Sequence, residues 1–206
     1  MGSGELEEDP HSLSVRAFFG LPVPEPQREE LGRFIAECAQ VAPDFRWTAS
    51  ENLHLTIRFL GNVRRAVAEQ IVDTLASRPT AGFELVPGGI GTFGRGRIVR
   101  VVWLGLRAGA DAAGALAAQV EAESLRAGLV GAINESHPGR RASAQERSFK
   151  GHVTLARARA RYGSRLPDLP APPVLDPWRA DALILYSSRL TRAGAIYEAI
   201  RTLPLQ

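Results

Sequence analysis

One feature narrows the folds open to this chain more than any other: His54-Leu55-Thr56-Ile57 returns 98 residues later as His152-Val153-Thr154-Leu155. Each tetrapeptide alternates polar and apolar residues, which is the pattern of a strand carrying His and Thr on one face and two aliphatic side chains on the other. The chain has four histidines, and two of four followed by apolar-Thr-apolar would arise by chance with a probability of roughly 0.0005. The repeat is therefore not accidental. If the two strands sit side by side or about a pseudo-twofold axis, two imidazoles and two hydroxyls line one cleft.

That quartet suits a phosphoryl group. Hydrolysing a phosphodiester requires a base for the attacking water and an acid for the departing oxygen, and imidazole is the side chain whose ordinary pKa serves both near neutrality. Threonine hydroxyls can donate to non-bridging oxygens, whose charge an arginine then balances. The layout requires no metal or other cofactor, because neither copy has a carboxylate or second histidine at ligand spacing. On the residues alone, two other readings stay open: a metal held by the paired histidines, and a cleft that recognises a phosphate-bearing partner without turnover.

Length and composition agree with this frame. The 206 residues suit one core or two small lobes folded around each other, and 45% hydrophobic with 23% charged residues is ordinary globular composition. Lys150 is the only lysine among 25 basic residues, and the net charge is only +3. Such an excess favours an anionic partner without the dense basic runs of a protein that coats nucleic acid. The single cysteine, Cys38, rules out an intrachain disulfide and a thiolate zinc cage, and it is expected to pack as a small hydrophobe. No stretch is apolar enough for a membrane span, so a soluble, cytoplasmic monomer is expected, without membrane partners.

Periodicity predicts strands at Ser14 to Gly20, Phe45 to Thr48 and Leu53 to Leu60, the last ended by Gly61-Asn62. Helices are expected at Gln27 to Gln40, Arg64 to Ser77 and Asp111 to Ala127, and a hairpin at Phe83 to Phe93 and Arg97 to Leu106. Further strands fall at His152 to Ala158, Ala180 to Ser187 and Ala195 to Thr202, with a Pro-rich connector over Pro167 to Pro177. The expected fold class is α+β with mostly antiparallel pairing and helices on the outer faces, as one domain over 1–206, with 1–12 expected to be disordered and a mobile loop expected from Asn134 to Arg147.

These residues resemble the two-histidine (2H) phosphoesterase superfamily, and within it the RNA 2',3'-cyclic phosphodiesterases, also called 2'-5' RNA ligases. The likeness runs from about Val15 to Leu205. It is carried by Arg16-Ala17-Phe18-Phe19, Arg46-Trp47-Thr48, the run Glu51 to Gly61 around the first motif, Gly89-Ile90-Gly91-Thr92-Phe93, Val101-Val102-Trp103-Leu104-Gly105, Arg147-Ser148-Phe149, His152 to Arg157, Ser188-Arg189-Leu190 and Tyr197-Glu198. One departure is Gly151, where the family usually has Pro.

The resemblance implies a bilobal fold of two antiparallel sheets about a central cleft with helices outside and a pseudo-twofold. It also implies opening of RNA 2',3'-cyclic phosphates to 2'-phosphomonoesters, with weak reversible 2'-5' joining, and His54 as acid and His152 as base. Other members act on other cyclic or 2'-5' linked nucleotides, so RNA ends and nucleotides are both expected partners.

Around the quartet, Arg58 lies four residues past His54 and by parity shares its face; it is read as a phosphate contact or a solvated edge arginine. Arg157 has the wrong parity for the cleft; the resemblance nevertheless favours a substrate-binding arginine there, which a bulge or a neighbouring strand has to bring into reach. Arg147 is a backbone contact or a loop charge. Phe18 and Phe149 are core residues or base-stacking platforms. His11 and His137 lie in polar segments and are expected to be solvated.

Overall fold

Helical spacing of Leu31, Phe34, Ile35 and Cys38 forms the buried stripe of α1 (Glu25–Val41), which begins at a Pro-containing first turn. The same periodicity buries Ala68, Ile71, Val72 and Leu75 of α2 (Arg65–Ala76), and Ala113, Leu116, Ala117 and Val120 of α3 (Ala110–Arg126). The computed structural model describes residues 14–129, 149–191 and 194–206. The expected disorder of 1–12 and the Asn134 to Arg147 loop, with His11, His137 and Arg147, lie outside the described residues.

The strands are β1 (Ser14–Pro22), β2 (Phe45–Trp47), β3 (His54–Arg64), β4 (Phe83–Arg95), β5 (Ile98–Ala108), β6 (Val153–Ala158), β7 (Ser164–Arg165), β8 (Trp178–Ala180), β9 (Ala182–Leu190) and β10 (Ala195–Pro204). They run in the order β10-β9-β1-β3-β6-β5-β4-β8, with β2 against β6 and β7 against β5. Each of these pairings is antiparallel. The protein is thus the expected α+β fold, built as two four-stranded halves. In each half the His-x-Thr strand lies against the strand before the preceding helix: β3 on β1 across α1, and β6 on β5 across α3.

One register pair, Leu55 with Val153, joins β3 to β6. The apolar members of both motifs, Leu55, Ile57, Val153 and Leu155, all enter one hydrophobic cluster that spans the two halves and includes the inner faces of the three helices. Cys38 belongs to it with no exposed surface, and burial pushes its thiol up to about 11, so it packs as an inert small hydrophobe.

Three details depart from the expected strands. Gly61 does not end β3. It adopts φ +72° within the strand, where the β1 register skips Leu60, and β3 continues to Arg64. The strand expected from Ala180 is two: β8 pairs with β4 in one half and β9 with β1 in the other, so the chain changes halves at Asp181. The short β7 interrupts the region before the Pro-rich connector.

Arg58 also departs from its expected place. Phe19 is opposite Arg58 but Gly20 is opposite Thr56, so Ile57 is an extra residue that breaks the period-2 parity counted from His54. Arg58 therefore joins Phe19 on the helix side of the sheet, 4% exposed, and pairs with Glu121 of α3. It is not a substrate contact. Burial lowers its guanidinium to about 10, still far above neutrality, so the buried cation depends on Glu121. Glu121→Ala is expected to destabilise the fold by about 3 kcal/mol in urea unfolding, and adding Arg58→Met should recover most of that loss. A cost below about 0.5 kcal/mol would place the pair with ordinary surface salt bridges.

Candidate active site

His54 and Thr56 flank Leu55, and His152 and Thr154 flank Val153. Since Leu55 and Val153 face each other in an antiparallel pair and point into the core, the four polar residues have the opposite parity and stand on the cleft face. Antiparallel geometry sets Thr154 across from His54 and His152 across from Thr56. The four side chains are each half-buried. This is the arrangement expected from the duplicated motif.

Both imidazoles are anchored in the same way. His54 Nδ1 lies 2.7 Å from the Asn52 carbonyl oxygen, and His152 Nδ1 lies 2.7 Å from the Lys150 carbonyl oxygen. A carbonyl can only accept, so Nδ1 must carry the proton in each ring. Nε2 is then the nitrogen that gains and loses a proton on both histidines. His54 Nε2 is 3.0 Å from Thr56 Oγ1, within reach of the hydroxyl.

The chain is 31% identical over 179 residues to the RNA 2',3'-cyclic phosphodiesterase of Aeropyrum pernix, covering 82% of this chain and 92% of that protein. The chain belongs to the LigT-like phosphoesterases. The family description "LigT like Phosphoesterase" matches residues 21–103. The Escherichia coli RNA 2',3'-cyclic phosphodiesterase is 29% identical, over 90% of this chain and 94% of that protein. A crystal structure of E. coli LigT complexed with 3'-AMP superposes with a TM-score of 0.71 at 27% identity, covering 94% of this chain and 98% of that chain.

In this phosphoesterase the surroundings of the two histidines differ. Phe18 packs against His54, with ring centroids 4.7 Å apart, and also touches Tyr186 at 5.0 Å and Tyr197 at 4.9 Å. Phe18 is 1% exposed, so it has no free face for a base; it is a wall for His54 and not a stacking platform. Phe149 packs on the helix side against the main core, near Gly114 of α3. It is partly buried against that core and turned towards α3, away from the substrate-binding place expected of it. Gly151 is closely packed, since a Cβ there would come within 2.9 Å of Leu106 Cδ1.

Arg157 reaches the cleft face by the bulge its parity required. Trp103 is opposite Thr154 but Val102 is opposite Ala156, which leaves Leu155 as the extra residue. Arg157 then falls in register with Val101, and Val101 with Phe93, whose ring meets His152 edge-on at 5.1 Å. Each half thus has its bulge one residue past the threonine. The same device turns Arg58 away from the site and Arg157 towards it.

Sequence reasoning did not assign Tyr186, Tyr197, Phe93 and Trp103 to the site. Trp103 is seated over a glycine: Gly91 is in register with it, and a Cβ at Gly91 would overlap the indole. The indole lies 6.0 Å from His152 between ring centroids. Gly91→Ala is expected to displace Trp103 towards His152, costing about 1–3 kcal/mol of stability from overpacking. It should also lower kcat/KM by about tenfold or more through misplacement of the imidazole. Unchanged urea stability with unchanged kcat/KM would show that Trp103 is not held by this contact.

Proposed function

We propose that this protein opens RNA 2',3'-cyclic phosphate ends to 2'-phosphomonoesters by metal-independent acid and base catalysis at His54 and His152. The observation that carries this reading is the pair of carbonyl-anchored imidazoles, each beside a threonine, on the two sides of the Leu55 and Val153 junction. The activity borne in the names of its relatives is the one this geometry can perform. Among the described residues no group of three or more His, Cys, Asp or Glu side chains is placed to hold a metal ion, and no helix is long and apolar enough to cross a membrane. The proposal takes the enzyme to act as a cytoplasmic monomer.

In the proposed step, water attacks phosphorus in line with the P–O3' bond. His152 Nε2 takes the water proton as the P–O bond forms. His54 Nε2, protonated beforehand, gives its proton to O3' as the P–O3' bond breaks, so the phosphate remains on O2'. Thr56 and Thr154 donate hydroxyl hydrogen bonds to the non-bridging oxygens, and Arg157 balances their charge. The two imidazoles end the cycle with their protons exchanged, and solvent restores them.

The purified protein is expected to convert a 2',3'-cyclic phosphate oligonucleotide to the 2'-phosphate in the presence of excess chelator. Recovery of the 3'-phosphate alone, or loss of turnover on chelation, would sink the reading. Replacing either histidine by alanine should lower kcat by about a hundredfold or more.

A bell-shaped dependence of kcat/KM on pH should follow, because one imidazole must be charged while the other is neutral; its limbs belong to the coupled pair. A substrate whose leaving oxygen needs little protonation should rescue His54→Ala far more than His152→Ala. Stronger rescue of His152→Ala would reverse the two roles.

A further inference from the structure

The two halves differ most in the residues one step beyond the threonines. In each, the bulge turns the fifth residue past the histidine, Phe59 or Arg157, onto the cleft face. In the first half that row is aromatic: Phe59 is in register with Phe18, and Phe18 with Tyr186. It encloses His54. In the second half the corresponding row is Arg157, Val101 and Phe93.

Strand β2 lengthens this second row. Where β3 has diverged from β6, β2 pairs with the far end of β6 and sets Arg46 in register with Arg157. Residues in register share a sheet face, so the two arginines stand side by side on the cleft floor, past Thr154. Arg46 is exposed. Two guanidiniums side by side on one sheet face form a cationic strip able to take successive phosphate groups. The aromatic half offers no such pair in this row.

Spacing says which anion. Arg157 is three residues on from Thr154, about 10 Å along a strand before the bulge shortens it, and Arg46 stands roughly 4.8 Å to its side, on the edge of β6 that faces β3. Arg157 can turn back towards the reacting phosphate. Arg46, beside it on the edge of β6 that β3 has left, is set for the next phosphate along a chain.

We propose that Arg46, beside Arg157, binds the internucleotide phosphate adjacent to the reacting cyclic phosphate, which makes an RNA chain end a better substrate than a free nucleoside cyclic phosphate. The proposal rests on the phosphodiesterase reading and deepens it. Arg46 is then a specificity-determining residue. The protons of the reaction remain with the histidines.

The test compares kcat/KM for a dinucleotide ending in a 2',3'-cyclic phosphate with that for the matching nucleoside 2',3'-cyclic phosphate. Wild type should prefer the dinucleotide, and the preference should narrow as salt rises, as phosphate contacts do. Arg46→Gln should lower the dinucleotide to nucleoside ratio by about tenfold or more, mainly through KM, and flatten its salt dependence. Arg46→Lys should keep part of the preference. Arg201→Gln, which removes an equal charge from the Asp73 contact on α2, should leave the ratio unchanged.

Turnover of both substrates with an unchanged ratio in Arg46→Gln, or an equal loss on both, would overturn this proposal alone. Wild type turning over neither would overturn the phosphodiesterase reading and this one with it.

Discussion

The contact between Leu55 and Val153 is the hinge of the architecture. Two four-stranded halves meet there through one antiparallel register pair, and both side chains enter the cluster shared by the three helices. Burying each such aliphatic side chain contributes about 1.5–3 kcal/mol. The junction is therefore held by the core beneath it more than by its ladder. Because the pairing does not continue, the strands are free to diverge on either side. The quartet of His54, Thr56, His152 and Thr154 occupies the opening, and β2 lines β6 where the gap has widened.

Two bulges then decide which side chains face that opening. Each adds one residue immediately past the threonine, Ile57 in β3 and Leu155 in β6. A shift of one residue moves everything beyond it to the other face of the sheet. In β3 this sends Arg58 under the sheet to Glu121, where it joins a strand to a helix, and brings Phe59 up beside Phe18. In β6 it sends Ala156 into the core and brings Arg157 up. One backbone device, applied twice, yields an apolar wall in one half and a cationic floor in the other.

The symmetry of the backbone is thus broken by side chains, in keeping with the chemistry of the site. A cyclic phosphate must be approached by water from one side and released towards a protonated group on the other. Both imidazoles are set by a carbonyl on Nδ1, so either can present Nε2. Their surroundings differ: Phe18, Tyr186 and Tyr197 surround His54, while Phe93 and Trp103 border His152 on the side that leads to the arginines.

The sequence by itself determined the helices, the main strands and the four residues of the quartet. Helical and alternating periodicities are local, and a motif repeated in one chain declares its own symmetry. It also supplied the family, through residues spread along the whole chain. What only the tertiary structure decided were the features that depend on register between distant segments. The parity of Arg58 and Arg157 turns on bulges that have no local signature in Ile57 or Leu155. The split at Asp181 turns on which strand each side of it can pair with. The neighbours Arg46 and Arg157 are 111 residues apart in sequence, and only the pairing of β2 with β6 puts them on one face. Periodicity is a property of a segment, whereas the alignment of two segments is settled by the pairing and packing of both.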